Sequence, residues 1–239
     1  MADPVQDYLK KQDASVAASF FDIDWCNCAA ISHAELHPLA GRDNVILVPL
    51  PPYGPTEAIV VRHDGFPELW CRAKRGDYNS PFLAFLKQEY GISWGNVPSN
   101  YNVDHLFSHK RVGKDAGDAE SGNKLPPETM VRLLLVSEPV NKSYGRLMEA
   151  DMVGSGNRLR RVRRFTYLQL AKALGINANS FGGGFAGPNR AANFWHIVDE
   201  FERRGILDEI NLGREQMMVH LQDMAEVVLH FRALRKKKT

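Results

Sequence analysis

The sequence predicts an α+β protein with an N-terminal antiparallel meander, a strand–loop–strand–helix core and a helical C-terminal region. Three observations predict this. Residues 44–74 hold three short apolar runs separated by Pro-Pro-Tyr-Gly-Pro and His-Asp-Gly-Phe-Pro, both strong turn chemistry. Residues 101–145 place two further runs around a glycine-bearing loop and end in polar residues suited to a helix start. From Tyr167 onward, apolar residues recur at helical spacing, and glycines close the segments.

The elements follow in order. Residues 1–20 read as a helical or frayed lead-in. Cys26, Cys28, His33 and His37 sit within a dozen residues, but Cys-x-Cys followed by His-x3-His is compressed for zinc. Buried thiols and helix-face histidines are the plainer reading. Strands are expected at Asn44–Leu50, Glu57–Arg62 and Glu68–Lys74, paired by hairpins into a meander. Ser80-Pro81 opens a helix whose Phe82, Phe85, Leu86 and Tyr90 share a face, and Gly91 ends it. The motif helix is expected from Lys142 to about Met152, before a Gly154-Ser155-Gly156-Asn157 linker. Helices are then expected at Tyr167–Leu174, Ala191–Arg204 and Glu215–Arg235, with a flexible loop around Gly182–Gly184. This divides the chain into an α+β domain, 1–153, containing the core at about 101–152, and a helical accessory domain, 158–239.

Composition narrows the function classes. At 239 residues with 44% hydrophobic and 24% charged residues, the chain has the make-up of an ordinary globular protein. No apolar run approaches a bilayer span of about 18–20 residues, so no membrane partner is expected. No basic start followed by an apolar segment marks a secretory signal, and three cysteines make a disulfide framework an unsuitable reading. A cytoplasmic location is the expectation, with secretion by a non-classical route left open. Net charge is only +2, yet five arginines fall within Arg158–Arg164 and Arg235-Lys236-Lys237-Lys238 closes the chain. Local basic stripes on a nearly neutral protein suit a polyanion.

The central stretch carries the chemistry. Hydrolysing a phosphodiester near neutral pH needs a base for water and a cation for the phosphate. His105 suits the base, because histidine titrates near working pH. Asp104 offers a hard oxygen for magnesium or manganese, and Asn141 a neutral one from the facing helix. Neighbours on a strand point to opposite faces, so Asp104 and His105 serve one phosphate only where the strand bends or ends.

Val-Asp-His-Leu (103–106), a loop, then x-Leu-x-Leu-Val-x4-Asn-x3-Gly (132–145) resembles the HNH, or ββα-metal, endonucleases. The resemblance implies a ββα-metal core in which Asp104 and Asn141 hold Mg²⁺ or Mn²⁺ and His105 is the general base. It implies a metal-dependent endonuclease without an organic cofactor, acting on nucleic acid, with DNA favoured. The family's middle asparagine falls on Arg132, which is expected to bind the scissile phosphate. Its structural-zinc cysteines fall on Ser137 and Val140, so that zinc should be missing.

Cations for the nucleic-acid backbone are offered by His109, Lys110 and Arg111 after the motif, and by Lys142 and Arg146 on its helix. Arg158, Arg160, Arg161, Arg163 and Arg164 extend the set, with Phe165 and Tyr167 beside them for stacking. The competing reading is a non-catalytic nucleic-acid-binding or regulatory protein that uses the arginine cluster and the helix-turn-helix-like Tyr167–Ile176. A toxin or defence nuclease with a protein partner or inhibitor is a third. Met217, Leu221, Met224, Val228 and Phe231 form one helix face, packed on its own domain or pairing two chains into a homodimer.

Overall fold

The computed structural model describes residues 3–21, 27–37, 45–105, 126–149, 162–164, 166–185 and 187–236. Within them the protein is a mixed α+β fold, one curled antiparallel sheet with helices packed on it and a C-terminal helical region. The strands are β1 (Asn27–Ala30), β2 (Val45–Pro49), β3 (Ala58–His63), β4 (Phe66–Arg72), β5 (Tyr101–His105), β6 (Met130–Ser137) and β7 (Val162–Arg164). The helices are α1 (Pro4–Phe21), α2 (Asn79–Tyr90), α3 (Glu138–Glu149), α4 (Tyr167–Ala173), α5 (Arg190–Arg203), α6 (Ile206–Glu209) and α7 (Arg214–Lys236).

β2, β3 and β4 form the expected meander, with Val61 opposite both Leu47 and Glu68. The β3–β4 hairpin turns on Asp64 and Gly65, both at positive φ (49° and 81°), the two-residue geometry that suits the right-handed twist of the strands. β6 is the spine of the sheet. Its first half pairs with β4 through Met130–Leu133. Along its other side β1 and β5 lie end to end, β1 against Met130–Val131 and β5 against Leu133–Ser137. β7 closes the far side by pairing with β1, which brings a piece of the arginine-rich stretch into the sheet.

The lead-in is a complete helix. Asp3 accepts the Val5 N–H at 2.9 Å, and Pro4 fills the first helical position, where its missing N–H costs nothing. α1 packs against β4 and buries Tyr8, Gln12, Ser15, Val16 and Ser19. α2 starts under the Asp77 carboxylate, which accepts the Asn79 N–H at 2.8 Å, so the helix opens just ahead of Ser80-Pro81. Its Phe82, Phe85 and Leu86 join Val60, Leu69 and Val131 in the main core. A smaller cluster of Ile59, Val61, Trp70, Met130 and Leu36 fills in behind, because alternate residues of each strand serve opposite faces.

Two loops differ from expectation. α3 begins at Glu138, directly after β6, four residues before the expected Lys142, so Asn141 lies in its first turn. The Gly182–Gly184 segment is tightly wired. Fully buried Asn193 accepts the Phe181 N–H at 3.0 Å and donates to Gly182 O and Gly184 O at 3.1 and 3.2 Å. A Cβ on Gly187 would stand 2.4 Å from Gly183 O, so the chain crosses itself where only glycine fits. In the C-terminal region α4 is buried along nearly its whole length, and Met217, Leu221 and Ala225 of α7 are buried, α7 packing on α5. Among the described residues no helix is long and apolar enough to cross a membrane.

Arg204, just past α5, reaches Asp13 of α1 at 3.5 Å. Burial pushes the Asp13 carboxyl up to about 6, with Arg204 pulling the other way. A folded pKa above the unfolded one gives a contribution that is full below about pH 4 and lost as pH rises through the folded value. The stability of Asp13→Asn relative to wild type should therefore rise between about pH 4 and pH 7. Asp13 keeps 41% of its side-chain surface in water, so the change should stay under ~1 kcal/mol. Thermal melts at both ends of that range check it, and a constant difference would refute it.

Candidate functional site

β5 ends at His105, β6 returns antiparallel to it, and α3 starts on the next residue after β6 and packs on both strands. Asp104 lies opposite Leu134 and His105 opposite Leu133, so alternation sends their side chains to opposite faces. They still meet at the strand end. Asp104 Oδ1 accepts the backbone N–H of His105 at 2.9 Å and stands 4.0 Å from His105 Nδ1. Both side chains are 15% exposed. Tyr78 sets its ring edge-on to the imidazole, with centroids 5.8 Å apart. Burial, with Cys71 and Asp104 adding to it, pushes the Tyr78 hydroxyl up to about 12. That hydroxyl donates to Ala73 O, so Tyr78 is a neutral wall beside His105.

The second oxygen of Asp104 has a partner that the sequence reading missed. Lys172 Nζ contacts Asp104 Oδ2 directly, and the lysine side chain is only 6% exposed. Lys172 is held there by α4, which opens with a capping box. Thr166 Oγ1 accepts the Gln169 N–H at 3.2 Å, and Gln169 Oε1 accepts the Thr166 N–H at 2.9 Å. Its neighbours Ala171 and Ala173 are buried as well. The available signal was a single cation in the otherwise apolar run Leu170-Ala171-Lys172-Ala173-Leu174.

Arg132 requires a correction. It was expected to bind phosphate, but it is 1% exposed and lies inside the fold. Its Nη1 is 3.0 Å from Glu68 Oε1 and donates to Ser19 Oγ at 2.6 Å, while Nη2 donates to Ser15 Oγ at 3.2 Å. Glu68 is itself held by the Trp70 indole N–H at 3.0 Å. The guanidinium is committed to a buried network and shut off from a ligand in solvent.

Asn141 is half-buried in the first turn of α3, between the inward Val140 and the exposed Lys142. That turn is fixed by Ser143, whose hydroxyl donates to Val140 O at 2.8 Å and accepts the Ala178 N–H at 3.0 Å. Lys142 pairs with Glu138 at 2.5 Å in full solvent, where a phosphate could displace the carboxylate. Arg146 falls on α3, and Arg163 and Arg164 fall on β7. His109, Lys110, Arg111, Arg158, Arg160 and Arg161 lie outside the described residues. His33 and His37 stack edge-on at 4.7 Å on a 3₁₀ turn, and burial with His37 holds the His33 imidazole below its ordinary pKa.

The residues as arranged do not fit a divalent cation. One oxygen of Asp104 faces an ammonium and the other accepts a backbone N–H. Among the described residues no group of three His, Cys, Asp or Glu side chains converges as a metal site would require. Comparisons with protein-family models, curated proteins and solved structures find no match to this chain.

Proposed function

We propose that the chain cleaves phosphodiester bonds of nucleic acid at the end of β5, in an arrangement of the ββα-metal kind, with His105 as the general base. One observation carries the reading. An antiparallel strand pair runs straight into a helix, His105 closes the first strand, and polar Asn141 stands in the helix's first turn with Lys142 next to it. A histidine flanked by a carboxylate can accept a proton from the attacking oxygen near neutral pH. Exposed Lys142 supplies a cation for a neighbouring phosphate.

The test is cleavage of plasmid and of DNA and RNA oligonucleotides, with Mg²⁺, with Mn²⁺ and with EDTA. His105→Ala should lower the rate by at least about 100-fold, within the range for losing a general base. Cleavage that survives this substitution belongs to another site or a contaminant. A second reading, a non-catalytic nucleic-acid binder, is favoured by the inward pairing of Asp104 with Lys172 and of Arg132 with Glu68. It requires binding that weakens steeply with salt and no cleavage under any condition.

A further inference from the structure

The resemblance implies a divalent cation against Asp104, and in this structure a lysine ammonium stands there. Lys172 and Asp104 are 6% and 15% exposed and in direct contact. Each is a costly group to bury alone, so each holds the other in place. The ammonium is delivered by a helix fixed at its start by a capping box and flanked by buried alanines, not by a loop free to withdraw. The other carboxylate oxygen is turned to His105, accepting its N–H at 2.9 Å and lying 4.0 Å from Nδ1. Lys172, Asp104 and His105 therefore form a line in which a fixed monovalent cation orients the carboxylate and the carboxylate faces the imidazole.

We propose that Lys172 takes the place of the divalent ion, closing Asp104 to metal and holding it as the partner of His105, and that the substrate is accordingly RNA. The inference rests on the phosphodiesterase reading above. Without a metal to activate water, the nucleophile must come already positioned, and RNA carries one in the 2′-hydroxyl beside each phosphate. His105 takes the proton of that hydroxyl, and the 2′-oxygen bonds to phosphorus. The bond from phosphorus to the 5′-oxygen breaks, and the departing oxygen takes a proton from solvent. The products are a 2′,3′-cyclic phosphate and a 5′-hydroxyl end. DNA lacks the hydroxyl and is left intact. Lys172 is a positioning residue in this scheme, since it acts on His105 through Asp104.

Two measurements test it. Electron paramagnetic resonance of Mn²⁺ reads metal binding without reference to activity. Wild type should leave Mn²⁺ free. Stoichiometric Mn²⁺ binding by wild type, a result that needs no variant to fold, overturns the proposal. Labelled RNA and DNA oligonucleotides are then incubated in EDTA. RNA should be cut to cyclic-phosphate ends and DNA spared. Lys172→Met should lower the rate by about 10- to 100-fold, the usual range for an orienting partner, and Lys172→Arg should recover most of it. Cleavage seen only with Mg²⁺ or Mn²⁺, or DNA cut as readily as RNA, overturns the proposal and leaves the nuclease reading standing. No cleavage of either strand in any condition sinks the nuclease reading and this proposal with it.

Discussion

Arg132→Met should destabilise the protein by about 3–5 kcal/mol, because it leaves the Glu68 carboxylate buried without its cation. Glu68 and Arg132 are 2% and 1% exposed, and neither reaches water. Three elements meet at the guanidinium: β4 through Glu68, β6 through Arg132 itself, and α1 through Ser15 and Ser19. Methionine keeps much of the apolar stem, so the loss should be electrostatic more than volumetric. The double variant Arg132→Met with Glu68→Met should recover most of the loss, since a buried ion pair is often no better than apolar side chains of similar volume. Urea unfolding of the two single variants and the double variant reads this directly. A single Arg132 variant of wild-type stability with impaired nucleic-acid binding would restore Arg132 to the phosphate and refute the buried network.

This network shows why part of the molecule was legible in the sequence and part was not. The meander was legible because β2 and β3 are rich in valine and isoleucine, and Asp64-Gly65 has the residues that a two-residue turn demands. The order strand, strand, helix around Asp104, Arg132 and Asn141 was legible from two apolar runs and their flanks. What a lone charge in such a run pairs with was not. Arg132 in Met130–Ser137 and Lys172 in Tyr167–Ala173 both announce a buried partner, since an unpaired cation does not survive in an apolar interior. Which carboxylate each one finds depends on which strands and helices meet, and that is a tertiary fact. β1 and β7 were missed for a related reason. Runs of four and three residues show no alternation, and their pairing is with partners far along the chain. The α1 pattern was obscured because its buried face carries Gln12, Ser15 and Ser19 where an amphipathic helix would show leucines.

Gln12→Leu should cost about 2–4 kcal/mol despite adding an apolar side chain at a position 3% exposed. β6 is longer than the strand beside it, and its pairing with β4 runs only as far as Leu133 opposite Leu69. At Leu135 the backbone groups on that side have no strand to meet. Gln12 takes the strand's part: its Oε1 accepts the Leu135 N–H at 2.7 Å, and its Nε2 donates to Leu135 O at 3.0 Å. The Tyr8 hydroxyl adds a longer contact, donating to Gln12 Oε1 at 3.4 Å. Leucine would leave both backbone groups buried and unpaired, each costing about 1–3 kcal/mol and offset in part by the apolar gain. Gln12→Glu isolates the two halves. A carboxylate can still accept from the N–H but cannot donate to the carbonyl, and burial raises its pKa above the unfolded value of about 4.3. Its deficit should therefore be smallest at low pH, where the protonated acid can serve both groups, and should grow as pH rises through that value. Hydrogen exchange at the Leu135 amide should quicken in Gln12→Leu and much less in Gln12→Glu. A Gln12→Leu protein within 0.5 kcal/mol of wild type, with Leu135 still protected, would mean that the strand edge is satisfied by some other group and that the clamp is incidental.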